Sequence, residues 1–193
     1  MRRFTVSVMR GLAERGIGTV LPDLPGAGES LTPLAEVSFD DWHEATASVV
    51  DIVRTESGRC LTVAIRGGAL LDVRADHGWR LAPETGERIL RDLVRATALS
   101  SGLSATEIDR RARTEATALA GQVASPTMFT GLSAATLSNA NAHTVRLTED
   151  IGLRDGSLSG MRLWRSAEPG DDPAFEATTV KAIFDWSARC AAL

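Results

Sequence analysis

The stretch Leu61-Thr-Val-Ala-Ile-Arg-Gly-Gly-Ala-Leu70 decides the fold that we expect for this chain. Leu61 to Ile65 is a short apolar run, and a strand that is covered on both faces is continuously hydrophobic. Gly67 and Gly68 follow, and the apolar segment after them can begin a helix. The stretch therefore predicts a sharp turn from a buried strand into a helix, with Arg66 at its apex.

Helices and strands are predicted to alternate on both sides of this turn. Apolar residues at helical spacing occupy 4–12, 39–53 and 89–97, and short apolar runs at 17–22 and 79–82 predict further strands. Such alternation indicates an α/β domain with a mostly parallel sheet and flanking helices.

The chain leaves this pattern once. Residues 101–142 contain a polar helix opened by the capping box Ser104-Ala-Thr-Glu107 and a stretch rich in small polar residues. We expect 101–142 to form a small helical cap or lid over the strand ends. The cap would be inserted between the two parts of the core, 1–100 and 143–193.

The last part of the chain returns to the sheet pattern. His143 to Thr148 predicts a return strand, and 151–160, which contains three glycines, predicts a polar loop. Asp172-Pro173 predicts the start of a last helix, because proline is favoured in the first turn.

Composition excludes several classes of partner. With 193 residues, 44% of them hydrophobic and 24% charged, the chain is expected to form one globular domain. The net charge is −4 and the arginines at 110–113 stand beside acids, so nucleic acid is not expected as a partner. No run approaches the roughly 18–20 apolar residues of a membrane span. Residues 4–15 are too polar for a signal peptide, so a cytoplasmic location is expected.

The cysteines and histidines form no recognisable metal signature. Cys60 and Cys190 lie far apart, with no second cysteine near either, so we expect no disulfide, metal or other cofactor. His43 is expected on a helix surface and His77 in a solvated turn. His143 has two interpretations, a displaced catalytic base or a hinge or surface residue.

Two motifs resemble the α/β-hydrolase fold. The turn Asp23-Leu-Pro-Gly-Ala-Gly-Glu-Ser30 matches the D-x-x-G-x-G-x-S turn that precedes the nucleophile strand in that family. The frame Ala64-Ile-Arg-Gly-Gly68 matches the G-x-S-x-G nucleophile elbow, with alanine in place of the first glycine and Arg66 in place of the serine. Gly26 and Gly28 are expected to provide positive φ or a close approach, and Ser30 to fix backbone geometry.

A closer resemblance is to the exosortase A system-associated hydrolases of the second type. It is carried by Met1-Arg-Arg3, by Ala64 to Leu70 at the elbow, and by Leu163-Trp-Arg-Ser-Ala-Glu-Pro169. Those proteins carry G-L-R-A-G-A at the elbow and F-W-x-x-x-E before the last helix. The resemblance implies that Arg66 is a family feature and that the protein is accessory to exosortase-linked sorting or exopolysaccharide production in Gram-negative bacteria.

The resemblance also implies segments before the first helix of this chain. In the family they supply the first strands of the sheet, and this chain begins at what looks like their end. Without them the strand at Leu61 to Ile65 would lie at an exposed sheet edge. An exposed edge invites pairing with another chain, so we expect either a homodimer through it or poor solubility.

Catalysis by a serine, histidine and acid needs residues that the sequence does not supply. Arg66 cannot be the nucleophile, because a guanidinium stays protonated and has no electron pair to offer. The family pattern places the catalytic histidine in 160–164, which contains none. Glu149 and Asp150 stand where the acid is expected, with loop acids or helix caps as the alternative. The leading hypothesis is a non-catalytic protein, and the alternative is an active hydrolase of esters or related acyl bonds that uses non-standard residues.

Arg66 suits the binding of an anion. A planar guanidinium recognises carboxylate or phosphate through two hydrogen bonds, and the start of a helix adds backbone N–H groups. We expect a site formed by Arg66, Gly67, Asp23 and Trp164 for a small anionic ligand, such as a sugar phosphate or an acyl carboxylate, or for an acidic side chain of a protein partner. The alternative is an ion pair between Arg66 and a neighbouring acid, for which Asp23 is one partner.

Overall fold

The computed structural model of the protein describes residues 2–72, 74–138, 141–165 and 172–191. The helices are α1 (Arg2–Ala13), α2 (Phe39–Ser57), α3 (Gly86–Ser101), α4 (Ala105–Ala112), α5 (Pro126–Ala134) and α6 (Pro173–Ala191). The strands are β1 (Leu61–Ile65), β2 (His77–Leu81), β3 (Thr117–Leu119), β4 (Gln122–Ala124), β5 (Ala142–Leu147) and β6 (Gly156–Leu158). Short 3₁₀ helices span Leu34–Glu36, Arg66–Leu70 and Leu163–Arg165.

Four strands form a parallel sheet in the order β1-β2-β5-β6. The register sets Ile65 opposite Leu81 and Leu81 opposite Val145, so these strands end at one common edge. The predicted α/β class with a mostly parallel sheet is confirmed. β1, the strand before the predicted turn, is an outer strand of the described sheet.

Two apolar clusters hold the helices in place. In the first, α1 and α6 pack on the sheet, with Phe4 stacked on Phe175 at 5.2 Å between ring centroids. The predicted stripe of α1 is buried, because Phe4, Val8 and Leu12 lie at helical spacing and face the same side. The second cluster joins α2, α3, α4 and α5 around Phe129, which is 1% exposed.

The predicted strand at 17–22 is wrong. The N–H of Ile17 donates to the carbonyl of Leu12, which closes α1, and the chain then continues extended but unpaired among the described residues. Val20 and Leu21 are 65% and 39% exposed. An apolar run becomes a strand only when a neighbour supplies hydrogen-bond partners, and the described part of the chain supplies none here.

The predicted loop at 151–160 is also wrong in part, because it contains β6. Asp155 positions this strand on β5: its N–H donates to the carbonyl of Thr144 at 2.7 Å, and its carboxylate accepts from the Thr144 N–H at 2.7 Å. β6 has three residues, which is too short for a visible alternation of apolar and polar side chains.

Residues 101–142 hold α4, an antiparallel hairpin of β3 and β4, and α5. The hairpin was not predicted. The buried side chains of this segment join those of α2 and α3 in the second cluster. Its division from the core as a cap stays a prediction.

Candidate functional site

Arg66 occupies a strained position where β1 ends. Ile65 is still extended, with φ −119° and ψ 126°, and Arg66 turns into the left-handed region with φ 55°. A residue other than glycine is held there at a cost of about 1–3 kcal/mol, and such residues concentrate at ligand clamps and active sites. The sharp strand-to-helix turn predicted from the sequence is therefore present, with Arg66 at its apex.

The helix after the turn differs from the expectation. Arg66–Leu70 is a 3₁₀ helix of five residues. Too few peptide groups align in it to build a helix dipole of useful size. The predicted contribution of a helix N-terminus to anion binding is therefore wrong, and recognition depends on the guanidinium itself.

The neighbouring strand ends in the same way. Ala82 follows β2 directly and also has a left-handed backbone, with φ 46°. Since Ile65 is level with Leu81, Arg66 and Ala82 turn side by side at the carboxyl edge of the sheet. Ligands of open parallel sheets bind at this edge. Glu84 follows in the loop before α3.

The side chain of Arg66 gathers residues from three parts of the chain. Its Nη1 donates to Glu84 Oε1 at 3.0 Å, and its Nη2 lies 3.9 Å from Asp92 Oδ2 on α3. Its Cζ lies 5.1 Å from the ring centroid of Trp164, in the 3₁₀ helix after β6. The Arg66 and Glu84 side chains are 23% and 13% exposed, so the pair is partly shielded from water.

Of the four predicted site residues, Gly67 and Trp164 lie beside Arg66, whereas Asp23 has a different partner. Trp164 lies against Arg66, as one interpretation of the sequence proposed. Gly67 follows Arg66, and a Cβ there would lie 2.7 Å from Ile89 Cδ1. The suggested pair of Arg66 with Asp23 is wrong, because Asp23 accepts from Arg2 at 2.6 Å. The hydrogen bond from Arg2 holds the pKa of the Asp23 carboxyl below its ordinary value.

The reason for that error lies in the segment before Asp23. The pairing with Arg66 assumed a strand at 17–22 that would deliver Asp23 to the carboxyl edge of the sheet. That segment is not part of the sheet. Glu84, which sequence reasoning missed, comes instead from the loop directly after β2, and its position after a strand end is the signal that could have revealed it.

The turn 23–30 serves the backbone, as expected. Gly26 and Gly28 have φ of 74° and 60°. The Ser30 hydroxyl accepts from the Gly26 N–H at 2.9 Å. A Cβ on Gly28 would lie 2.3 Å from Asp23 Oδ1, so only glycine fits beneath that carboxylate.

The positions of the acid and the base hold an ion pair. Asp150, after β5, accepts on Oδ1 from Nη2 and Nε of Arg162 at 2.8 Å and 3.1 Å. Arg162 lies within 160–164, where the family pattern has its histidine. Glu149 beside it is exposed. A guanidinium cannot accept a proton at neutral pH, so Arg162 cannot replace the histidine as the base.

The histidines lie elsewhere. His143, near the amino end of β5, is level with Trp79 in β2 and through it with Val63 in β1, three residues before Arg66. Its interpretation as a displaced base stays a prediction. Burial lowers the pKa of His143. His77 begins β2 at the same amino end. The ring of His43 meets Phe39 edge-on at 4.9 Å and is partly buried, whereas a surface position was expected.

Other chemistry-bearing groups give no second site. Cys60 and Cys190 are both buried free thiols, and burial raises the pKa of each. Among the described residues, no three His, Cys, Asp or Glu side chains converge as metal ligands. No helix in the described ranges has the length and apolar character needed to cross a membrane.

Comparison of the chain with protein-family models finds no matching family, and comparison with the curated proteins finds no match. The site is therefore interpreted from its own geometry and from the motifs of the sequence. Part of one motif, Ser166 to Pro169, lies outside the described residues.

Proposed function

We propose that this protein is a non-catalytic, α/β-hydrolase-like binding protein that holds a small anionic ligand at Arg66. One observation carries the proposal: Arg66 occupies the strained apex of the turn, while its guanidinium lies on Trp164 and donates one hydrogen bond, to Glu84, among the described residues. A guanidinium has five N–H donors. Donors therefore remain for a carboxylate or phosphate at a partly open position.

Glu84 is suited to give way to such a ligand. Its second carboxylate oxygen lies 3.3 Å from Nε of Arg88 on α3. When a ligand anion takes the place of Glu84 on Arg66, Glu84 keeps this second guanidinium partner. The exchange therefore leaves no carboxylate without a counter-charge. An unpaired carboxylate would otherwise be the main free-energy cost of binding the ligand.

Trp164 supports the orientation of the guanidinium. A guanidinium that lies over an indole ring is attracted by the ring face and keeps its edge free for hydrogen bonds. Planar bidentate binding of a carboxylate or phosphate uses that edge. Trp164 thus favours a ligand with a carboxylate or phosphate group, such as an acyl carboxylate or a sugar phosphate.

The lack of serine and histidine at their expected positions favours binding over catalysis. No serine stands at the apex, and Arg162, which pairs with Asp150 at the acid position, stands where the family pattern has its histidine. His77 and His143 lie towards the amino ends of their strands, and the ring of His43 packs edge-on against Phe39.

The carboxylates beside Arg66 are those of Glu84 and Asp92, and Glu84 is held in ion pairs with Arg66 and Arg88. The alternative of ester hydrolysis by non-standard residues would need one of these two carboxylates to activate water.

The biological role in this proposal comes from the motif resemblance. The elbow Ala64 to Leu70 resembles that of the exosortase A system-associated hydrolases of the second type, which also carry arginine there. The proposal is thus an accessory protein of exosortase-linked sorting or exopolysaccharide production, in the cytoplasm. Its ligand would be a small anion or an acidic group of a protein of that system.

Thermal unfolding with added anions tests the site. We compare inorganic phosphate, acetate and glucose 1-phosphate, at constant ionic strength kept with sodium chloride. The wild type is expected to gain stability with concentration, by about 2.7 kcal/mol at a hundredfold excess over Kd. Arg66→Ala should lose this gain.

Arg91→Ala is the matched control, because Arg91 is an exposed arginine of α3 that pairs with Glu87 and not with Glu84, and this variant should keep the gain. An equal gain in Arg66→Ala and wild type would refute the site, and so would the absence of a gain from all three anions. Turnover of short acyl nitrophenyl esters by the wild type, lost in Arg66→Ala, would establish the catalytic alternative instead.

A further inference from the structure

The backbone hydrogen bonds of β2 show which groups of β1 face outward. The N–H groups of Gly78 and Ala82 donate to the carbonyls of Asn141 and Val145, so alternate residues of β2 face β5. The residues between them, at 77, 79 and 81, therefore face β1. In the observed parallel register these bond to the backbone at 62 and 64, on either side of Val63.

Leu61, Val63 and Ile65 consequently direct their N–H and C=O groups away from the sheet. Among residues 2–72, 74–138, 141–165 and 172–191, no hydrogen-bond partner lies on the outer side of Val63 or Ile65. The carbonyl of Leu61 has only a 4.0 Å contact with the Cys60 sulfur. The Val63 side chain is 42% exposed.

The edge lacks the usual protection against pairing. Proteins shield outer strands with charged residues, prolines or bulges, and β1 (Leu61–Ile65) contains no charged residue and no proline. Its pairing with β2 is regular over all five residues, without a bulge. A row of unpaired backbone groups beside an exposed valine is a template for another strand.

We propose that β1 pairs antiparallel with β1 of a second copy of this chain, on a two-fold axis through Val63. In this register Val63 lies opposite Val63, and Leu61 lies opposite Ile65. The outward residues then form hydrogen-bonded pairs, and every outward N–H and C=O of the three finds a partner. A one-residue shift would break this match, because it would set outward groups against inward ones.

The chemistry of β1 favours a second copy over a different protein. The facing pairs are Leu61 with Ile65, Thr62 with Ala64 and Val63 with itself, none of them charged, and the strand is its own complement under a two-fold axis. The flanking arginines do not face each other: Arg59 lies opposite Gly67 of the second copy, and Arg66 opposite its Cys60. A two-fold contact of this kind also closes on itself, so it gives a dimer and not a fibre.

Surface outside β1 would have to add area to the contact. A stable interface buries about 800 Å² on each partner, more than a strand of five residues supplies. The extended segment after α1 is one source of apolar surface, and Ile17 at its start packs on the same apolar cluster as Leu61 and Ile65. Val20 and Leu21 in this segment are 65% and 39% exposed.

Sedimentation velocity over a range of protein concentrations tests the dimer. The wild type is expected to sediment as a dimer and Val63→Lys as a monomer, because a lysine on the edge blocks pairing. Leu99→Lys, at an 85% exposed position on α3, is the matched control and should stay dimeric. Circular dichroism checks that all three are folded. A wild type that is monomeric at about 100 μM, far above the Kd of a stable dimer, overturns the proposal and leaves the edge to a strand of another protein.

Cross-linking tests the register and does not depend on Val63→Lys. On the two-fold axis the Cα atoms of the two Val63 residues would be about 5.5 Å apart. A short bis-maleimide should therefore join two copies of Val63→Cys but not of Leu153→Cys, whose position is 94% exposed away from β1. The native cysteines are both buried. No dimer band with Val63→Cys, or equal bands with both variants, overturns the proposed register.

Discussion

Two arginines on neighbouring strands of the sheet are used in different ways. Arg80 in β2 donates to both carboxylate oxygens of Asp72, at 2.7 Å and 2.8 Å, and also to the carbonyl and hydroxyl of Ser138. Arg66, after β1, donates one hydrogen bond to Glu84. The Arg80 and Asp72 side chains are 5% and 3% exposed, against 23% and 13% for Arg66 and Glu84.

The difference separates a structural ion pair from a binding group. Nε, Nη1 and Nη2 of Arg80 all donate hydrogen bonds while shielded from water. Exchange of these partners would leave a buried charge unpaired, which is costly. Arg66 has donors to spare and access to water. What marks Arg66 for binding is therefore not its charge but the part of its hydrogen-bonding capacity that the fold leaves unused.

The largest effect is expected from Arg80→Ala. It leaves the Asp72 carboxylate buried without a counter-charge and should lower the free energy of unfolding by about 3–5 kcal/mol. Urea unfolding measures it. Arg80→Met combined with Asp72→Leu removes both charges and should cost less than Arg80→Ala alone. If Arg80→Ala costs no more than Arg66→Ala, the contrast between the two pairs is false.

A smaller effect is expected from relieving the strain at Arg66. Glycine adopts a φ of 55° without the penalty that a Cβ brings, so Arg66→Gly should be more stable than Arg66→Ala by about 1 kcal/mol. Both variants lose the same ion pair, so the difference between their free energies of unfolding reports the strain of the backbone at position 66. At Arg95, in the interior of α3, the order should reverse, because glycine is the poorer helix residue. Urea midpoints that show the same order at both positions would contradict a strained Arg66.

Arg66→Lys tests whether Arg66 binds an anion through its planar guanidinium or only through its charge. Lysine keeps the charge but loses the planar fork, so one charge-assisted hydrogen bond to phosphate is lost and binding should weaken about tenfold. Phosphate titration followed by calorimetry measures it. Unchanged affinity would mean that Arg66 acts as a point charge, without bidentate recognition.

The smallest effect is expected at an exposed cluster on α4. Hydrogen bonds from Arg110 and Arg111 lower the pKa of Glu107 from 4.5 to about 2. Because the folded pKa lies below the unfolded one, this stabilisation is present above pH 4.5 and is lost as the pH falls through about 2. Wild type and Glu107→Gln should therefore differ in urea midpoint at pH 5 and converge near pH 2. If the difference in urea midpoint between the two proteins stays constant from pH 5 to pH 2, the ion pairs of Glu107 are not its cause.

Local patterns predicted several elements well. The stripe of Phe4, Val8 and Leu12 predicted α1. Ser104, expected to open a helix, caps α4 by accepting a hydrogen bond from the Glu107 N–H. The return strand was expected at 143–148 and is observed at Ala142–Leu147. These features depend on neighbours within one or two turns of the chain, which the sequence displays directly.

Non-local pairing caused the errors. The segment 17–22 has the composition of a strand and lacks a neighbour, whereas β6 has a neighbour and lacks the composition. At the site, Trp164 was anticipated beside Arg66, but Asp23 was assigned in the place of Glu84. Each of these outcomes depends on which strands lie side by side, and one sequence does not contain that information.

The sequence by itself determined the alternation of helices and strands, the turn with Arg66 at its apex, and the lack of serine and histidine where the family pattern has them. Only the tertiary structure decided the partners of Arg66. The chain has 25 acidic residues that are chemically equivalent as partners for a guanidinium. The register of β1 on β2 selects Glu84 among them, because parallel strands that end level with each other bring the loops after them together.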